Sequence, residues 1–121
     1  MLPLVNTLAS GSEFYIDEGC FVTELSSAGQ DAHLSIARCR VEPGKRTRWH
    51  FLSETVERYV IQSGSGLVEV GNLPPQSVVS GDFVLIPAGS RQRISNVGSV
   101  DLIFLTICTP RFQPDCYRDI E

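Results

Sequence analysis

The stretch from Glu42 to Gly64 reads EPGKRTRWHFLSETVERYVIQSG. A Pro43-Gly44 turn opens it, and Gly64 begins the turn that ends it. Between them stand one histidine, His50, and one well-placed acid, Glu57. Side chains two apart in a strand share a face. If Arg46 to Leu52 is a strand, Arg48, His50 and Leu52 point the same way. On the strand beyond Ser53-Glu54, Glu57, Tyr59 and Ile61 share a face. Two neighbouring strands can thus each aim a polar group into one interior, at a separation fixed by the ladder. Glu54, in the hairpin, reads as a solvated loop acid.

A second stretch, Gly81 to Asn96, reads GDFVLIPAGSRQRISN. Phe83 to Ile86 is an apolar run ahead of the Pro87-Ala88-Gly89 turn. Gln92 and Ile94 share a face of the next strand, so Arg91 and Arg93 point outward. Further strands are expected at Cys20 to Ser26, His33 to Val41, Leu67 to Val70 and Asp101 to Thr109. The last, DLIFLTICT, is continuously apolar and implies burial on both faces. Within it Leu102, Phe104 and Thr106 share a face. Gly71 to Ser77 reads as a proline-bearing loop. Phe112 and Tyr117, in the tail, are expected to pack back on the body. No helical period of useful length occurs. Eight or more short strands with Gly and Pro turns indicate a sandwich or a closed barrel.

A chain of 121 residues, 42% hydrophobic, suits one domain with one core. A net charge of -4 argues against general nucleic-acid binding. Five of the ten basic residues lie between Arg38 and Arg48, which reads as a solvated face. The four cysteines form no C-x-x-C pair and no zinc-ribbon spacing. Cys116 lies in a polar tail that suggests exposure. The apolar N-terminus has no basic residue before it, and no run approaches the roughly 20 apolar residues of a membrane span. These features fit a cytoplasmic protein with reduced thiols and no membrane partner. His33, the second of two histidines, reads as an ordinary strand-start residue.

Together the two stretches resemble the signature motifs of the cupin superfamily, of the small single-domain kind. The first family motif is Gly, five residues, His, one residue, His, four residues, Glu, six residues, Gly. Gly44, His50, Glu57 and Gly64 match it in register, with Leu52 at the second His. The second is Gly, five residues, Pro, one residue, Gly, two residues, His, three residues, Asn. Gly81, Pro87, Gly89 and Asn96 match it, with Gln92 at the His. The resemblance implies an all-β double-stranded β-helix, a jelly-roll barrel in a single domain. The barrel would run from about 33 to 109, with an N-terminal arm, 1–32, and a C-terminal tail, 110–121. It also implies a homodimer in which a strand such as Cys20 to Ser26 joins the partner's sheet.

Members with intact motifs hold a divalent metal through three His and one Glu. Carried over, the resemblance leaves His50, Glu57 and Gln92 as a metal set, with an amide for one imidazole and no donor at Leu52. The ion would be iron, manganese, nickel or zinc, held weakly or not at all, with no organic cofactor. Losses outside the ligand set already weaken metal sites roughly 10- to 100-fold, and these are losses within it. Without metal, His50 and Glu57 become a hydrogen-bonded pair in a small-molecule pocket. Arg48, Leu52, Tyr59 and Phe104 are the candidate pocket walls. An inward Arg48 would call for an anionic ligand, because buried unpaired charge is costly.

The leading expectation is a cupin that binds a small anionic or polyhydroxylated molecule in its barrel. The alternative is a metal-dependent dioxygenase, or an isomerase or lyase, on the reduced set. A third is a structural dimer whose pocket is filled by Leu52, Tyr59 and Phe104. The sequence leaves open whether the chain is an enzyme.

Overall fold

The structure, a computed structural model, describes residues 1–8 and 11–121. The described strands are β1 (Phe14–Ile16), β2 (Cys20–Glu24), β3 (Ser35–Val41), β4 (His50–Leu52), β5 (Val56–Ser63) and β6 (Ser65–Val70). They continue with β7 (Gln76–Val79), β8 (Phe83–Ile86), β9 (Gln92–Asn96), β10 (Leu102–Thr109) and β11 (Tyr117–Asp119). A 3-10 turn, Pro114–Cys116, precedes the last strand. Two antiparallel sheets result. One has six strands in the order β1-β2-β3-β10-β5-β8, the other five in the order β11-β4-β9-β6-β7. This is the expected jelly-roll barrel. Among the described residues, no helix is long and apolar enough to cross a membrane.

Alternation builds the interior. Along β5, Glu57, Tyr59 and Ile61 are buried while Arg58 and Val60 are half-buried. Tyr59 and Phe104 pack ring to ring, 4.6 Å between centroids. Around them close Val41, Ile61, Ile86, Ile94 and Leu102, all buried. Asn96 ties the end of β9 to the rest of the barrel. Its amide donates to the carbonyls of Val41 and Val100, each at 2.8 Å, and its oxygen accepts from the Gly98 N–H at 2.9 Å.

Five local expectations need correcting. The strand expected from Arg46 is regular only from His50; Arg46 makes one isolated bridge to Ser95. Gln76 and Ser77, read as the end of a loop, belong to β7, which pairs with β6 at the sheet edge just after Pro74 and Pro75. β10 is buried on its inner face, whereas Ile103, Leu105 and Ile107 are half-exposed on the outer one. Cys116 is buried against Leu52 and Cys108, because β11 folds back onto β4. β2 already has a strand on each side, so the free edges of its sheet are β1 and β8.

Candidate functional site

A cavity of about 450 Å³ opens into the barrel. Its polar lining includes Glu18 from the β1–β2 turn, Glu57 from β5, Thr106 and Cys108 from β10, and Tyr117 from β11. The inner face of the six-stranded sheet therefore carries most of the chemistry.

His50 opens β4 and is 1% exposed. Its Nδ1 lies 2.6 Å from the Arg48 carbonyl, so Nδ1 carries the proton and donates. That leaves Nε2 as the acceptor, 3.4 Å from Glu18 Oε1. The Tyr117 ring stacks on the imidazole at 5.1 Å and 25°. Burial pushes the imidazole pKa down, against the Arg48 carbonyl and the charge of Glu57, which favour the cation. The ring is thus held neutral at ordinary pH, with its basic nitrogen towards Glu18.

Glu57 is buried, and its Oε2 accepts from the Cys108 thiol at 3.7 Å. Its Oε1 has no hydrogen-bond partner among the described residues. Gln92 pairs with His50 across β4 and β9, which brings it to the same interior. Its Oε1 accepts from the Tyr59 hydroxyl. Its Nε2, also buried, has no partner among the described residues. That amide end lies near enough to Glu57 to draw its pKa down in part, without closing a hydrogen bond.

The carboxyls are proton-loaded groups. Desolvation raises Glu57 to about 7, helped by the charge of Glu18. Desolvation likewise raises Glu18 to about 7, against a hydrogen bond from the Cys20 thiol. Two carboxyls that titrate near neutrality can each give or take a proton at that pH.

The structure brings together His50, Glu57 and Gln92 from the sequence-derived set and places the other four elsewhere. Arg48 precedes the regular strand, so the parity argument does not reach it. Its guanidinium lies at the surface, 2.8 Å from Asp119. Leu52 packs with Cys108, Cys116 and Tyr117. Tyr59 and Phe104 are core residues outside the cavity lining; of His50, Glu57 and Gln92 only Glu57 lines the cavity, and the other two are buried behind it. His50 pairs with Glu18 rather than with Glu57 as expected. Glu18 and Tyr117 were not singled out as site residues. Glu18 lies in the short turn between β1 and β2, and Tyr117 arrives from the far end of the chain.

The residues present do not fit the family's metal. Leu52 offers no donor, and the Gln92 oxygen is committed to Tyr59. Among the described residues, no three His, Cys, Asp or Glu side chains gather as a metal-sized group. A stable protein site wants three or four converging donors.

A search of curated protein sequences returned no significant match. Among solved structures, a variant of Streptomyces Pac13 with uridine superposes with a TM-score of 0.82 at 18% identity, over 100% of this chain and 93% of that one. A second Pac13 structure is described as that of a unique nucleoside dehydratase. A protein described as a predicted oxalate decarboxylase from Thermotoga maritima gives 0.80 at 22%, over 88% and 99%. One described as a putative sugar phosphate isomerase from Acidithiobacillus ferrooxidans gives 0.64 at 29%, over 83% and 67%. The family model described as Cupin domain matches residues 37–108, more than half of the chain. With the motif spacing, the jelly-roll topology and that match in agreement, the chain belongs to the cupin family.

Proposed function

We propose that this chain binds a small, uncharged, polyhydroxylated molecule in the barrel and exchanges protons with it through Glu57 and Glu18. The observation that carries the reading is the unpartnered Glu57 Oε1 in the cavity lining, with a second unpartnered atom, Gln92 Nε2, buried behind it. One accepts and the other donates. A hydroxyl group, which both donates and accepts, complements the two together. Each unpaired buried polar atom costs about 1–3 kcal/mol, which a ligand hydroxyl would offset.

Charge supports an uncharged ligand. The cavity lining carries Asp17, Glu18, Glu24 and Glu57. Its basic side chain, Arg111, is committed to backbone carbonyls of Ser26, Asp31 and Leu34. Arg48, which argued for an anion, lies outside. The structural neighbours described as a nucleoside dehydratase and a putative sugar phosphate isomerase are named for hydroxylated molecules, the second of them charged. The neutral imidazole of His50 fits a role as proton acceptor behind Glu18.

The test is a thermal-shift and calorimetric titration with D-ribose and uridine against ribose 5-phosphate, with metal content measured on the same protein. The neutral compounds are expected to stabilise the fold, by about 2.7 kcal/mol at 100 times the dissociation constant. Gln92→Leu is expected to abolish that gain. Preference for ribose 5-phosphate would sink the uncharged-ligand reading. Near one metal per chain, lost in His50→Ala, would instead favour the metal-dependent enzyme on His50, Glu57 and Gln92.

We also place a homodimer contact at the free edge β8. Its outward side chains Phe83 and Leu85 are 62% and 53% exposed. An edge strand can pair antiparallel with its own copy across a two-fold axis. Phe83→Arg is expected to convert a dimer to a monomer in sedimentation at micromolar concentration. A wild-type monomer at that concentration would rule the contact out.

A further inference from the structure

We propose that Tyr117 is a ligand-contacting, specificity-determining residue, so that the C-terminal segment is one wall of the binding site and not a tail packed on its outside. This rests on the reading of the barrel cavity as the ligand site. Four residues of the segment face the cavity: Arg111, Phe112, Pro114 and Tyr117. Phe112 and Pro114 give an apolar rim, and Tyr117 brings a ring with a hydroxyl.

Tyr117 is fixed by the strand that also carries His50. In the β11–β4 ladder, Tyr117 pairs with Leu52, Arg118 with Phe51 and Asp119 with His50. The Ser53 N–H donates to the Cys116 carbonyl at 2.9 Å, and the Ile120 N–H to the Trp49 carbonyl at 3.1 Å. Arg48 holds Asp119 at 2.8 Å on the outside. The ring therefore has a set position over the imidazole.

The Tyr117 ring is half-buried, yet its hydroxyl makes no hydrogen bond to any described residue. Tyrosines whose rings are packed usually find a partner for the O–H. The Tyr59 hydroxyl, by contrast, donates to Gln92. Glu57 thus offers one unpartnered polar pole in the cavity lining, and Tyr117 a second on another wall of the barrel. A molecule that uses both carries at least two separated hydroxyl or carbonyl oxygens. Its apolar or planar part would rest against Phe14, Phe112 and Pro114, which line the same cavity.

The experiment measures uridine and D-ribose binding to wild type, Tyr117→Phe, Tyr117→Ala and Tyr15→Phe. Tyr15 is 60% exposed and packs edge-on to Phe21 instead, so it serves as control. Tyr117→Phe keeps the stack on His50 and should leave the unligated melting temperature within about 2 °C. It should weaken whichever compound wild type binds by roughly tenfold, the worth of one hydrogen bond. Tyr117→Ala should in addition change the ratio of uridine to ribose affinity, since the wall itself is gone. Wild-type affinity in Tyr117→Phe, with the ratio unmoved in Tyr117→Ala, overturns the proposal and leaves the site reading intact. Failure of wild type to bind either compound overturns the site reading, and this proposal with it.

Discussion

Gly64→Ala is expected to lose about 3–5 kcal/mol of stability, while Gly44→Ala and Gly89→Ala each lose about 1–2 kcal/mol. All three glycines hold positive φ, at +87°, +76° and +81°. A side chain pays a conformational penalty in that region, so each substitution is strained. What separates them is space. A Cβ at Gly44 or Gly89 would meet nothing within 4 Å. A Cβ at Gly64 would stand 2.6 Å from the Asp101 carbonyl oxygen and 2.9 Å from Leu102 Cα. Both contacts are backbone, which cannot rotate away. Leu102 begins β10, which lies between β3 and β5 in the six-stranded sheet. Relief at Gly64 therefore means moving a central strand. Urea denaturation of the three variants side by side measures the difference. Equal losses would show that the β5–β6 turn relaxes freely, and that the close approach to β10 carries no weight.

That glycine shows which parts of the molecule were legible. Gly64 stood out by its place in the motif, and the structure supplies the reason only glycine fits there. The strands of the barrel were readable for a similar local cause. Alternation along Val56–Ser63 and the turn at Pro87-Ala88-Gly89 are properties of short segments. The candidate site was readable where it sits on those segments, at His50, Glu57 and Gln92. It failed where parity was carried past a strand's true start. Arg48 lies two residues before His50, in chain whose N–H bonds to the Glu18 carbonyl and not to a neighbouring strand. Without the pleat there is no alternation to count. Glu18 and Tyr117 could not be placed by any local pattern, because their positions depend on the β1–β2 turn and on β11 docking against β4. The one hint at Tyr117 was that it and Phe112 are aromatics in a polar tail, which reads equally well as packing.

Stability should fall as pH rises from about 4.5 to about 7, and removing a site carboxyl should raise it at pH 8. Glu18 and Glu57 each titrate near 7 in the folded chain, above their ordinary value of 4.5. Between those pH values the folded chain still holds protons that the unfolded chain has released. The stabilisation from that extra protonation is therefore complete below about 4.5. It is lost as the pH climbs through 7, and the profile is flat above it. One carboxyl shifted that far corresponds to about 3 kcal/mol. Glu18 adds to the shift of Glu57, so the two titrate as a pair and not as independent groups. Glu13 and Asp119 are shifted the other way, held low mainly by hydrogen bonds from Arg40 and Arg48. Their contribution is lost only in more acidic solution, outside this window. His50, held low by burial, works against the fall within the window, one group against the two carboxyls. Glu57→Gln keeps the shape and removes the buried charge. It is expected to gain about 1–3 kcal/mol at pH 8 and to match wild type near pH 4.5, in urea denaturation at the two pH values. A carboxylate kept for its ion pairs would give the opposite sign, with its removal destabilising at pH 8. Stability gained by deleting Glu57 would mean that the fold tolerates this group at a cost, which is the usual condition of residues kept for binding or proton transfer.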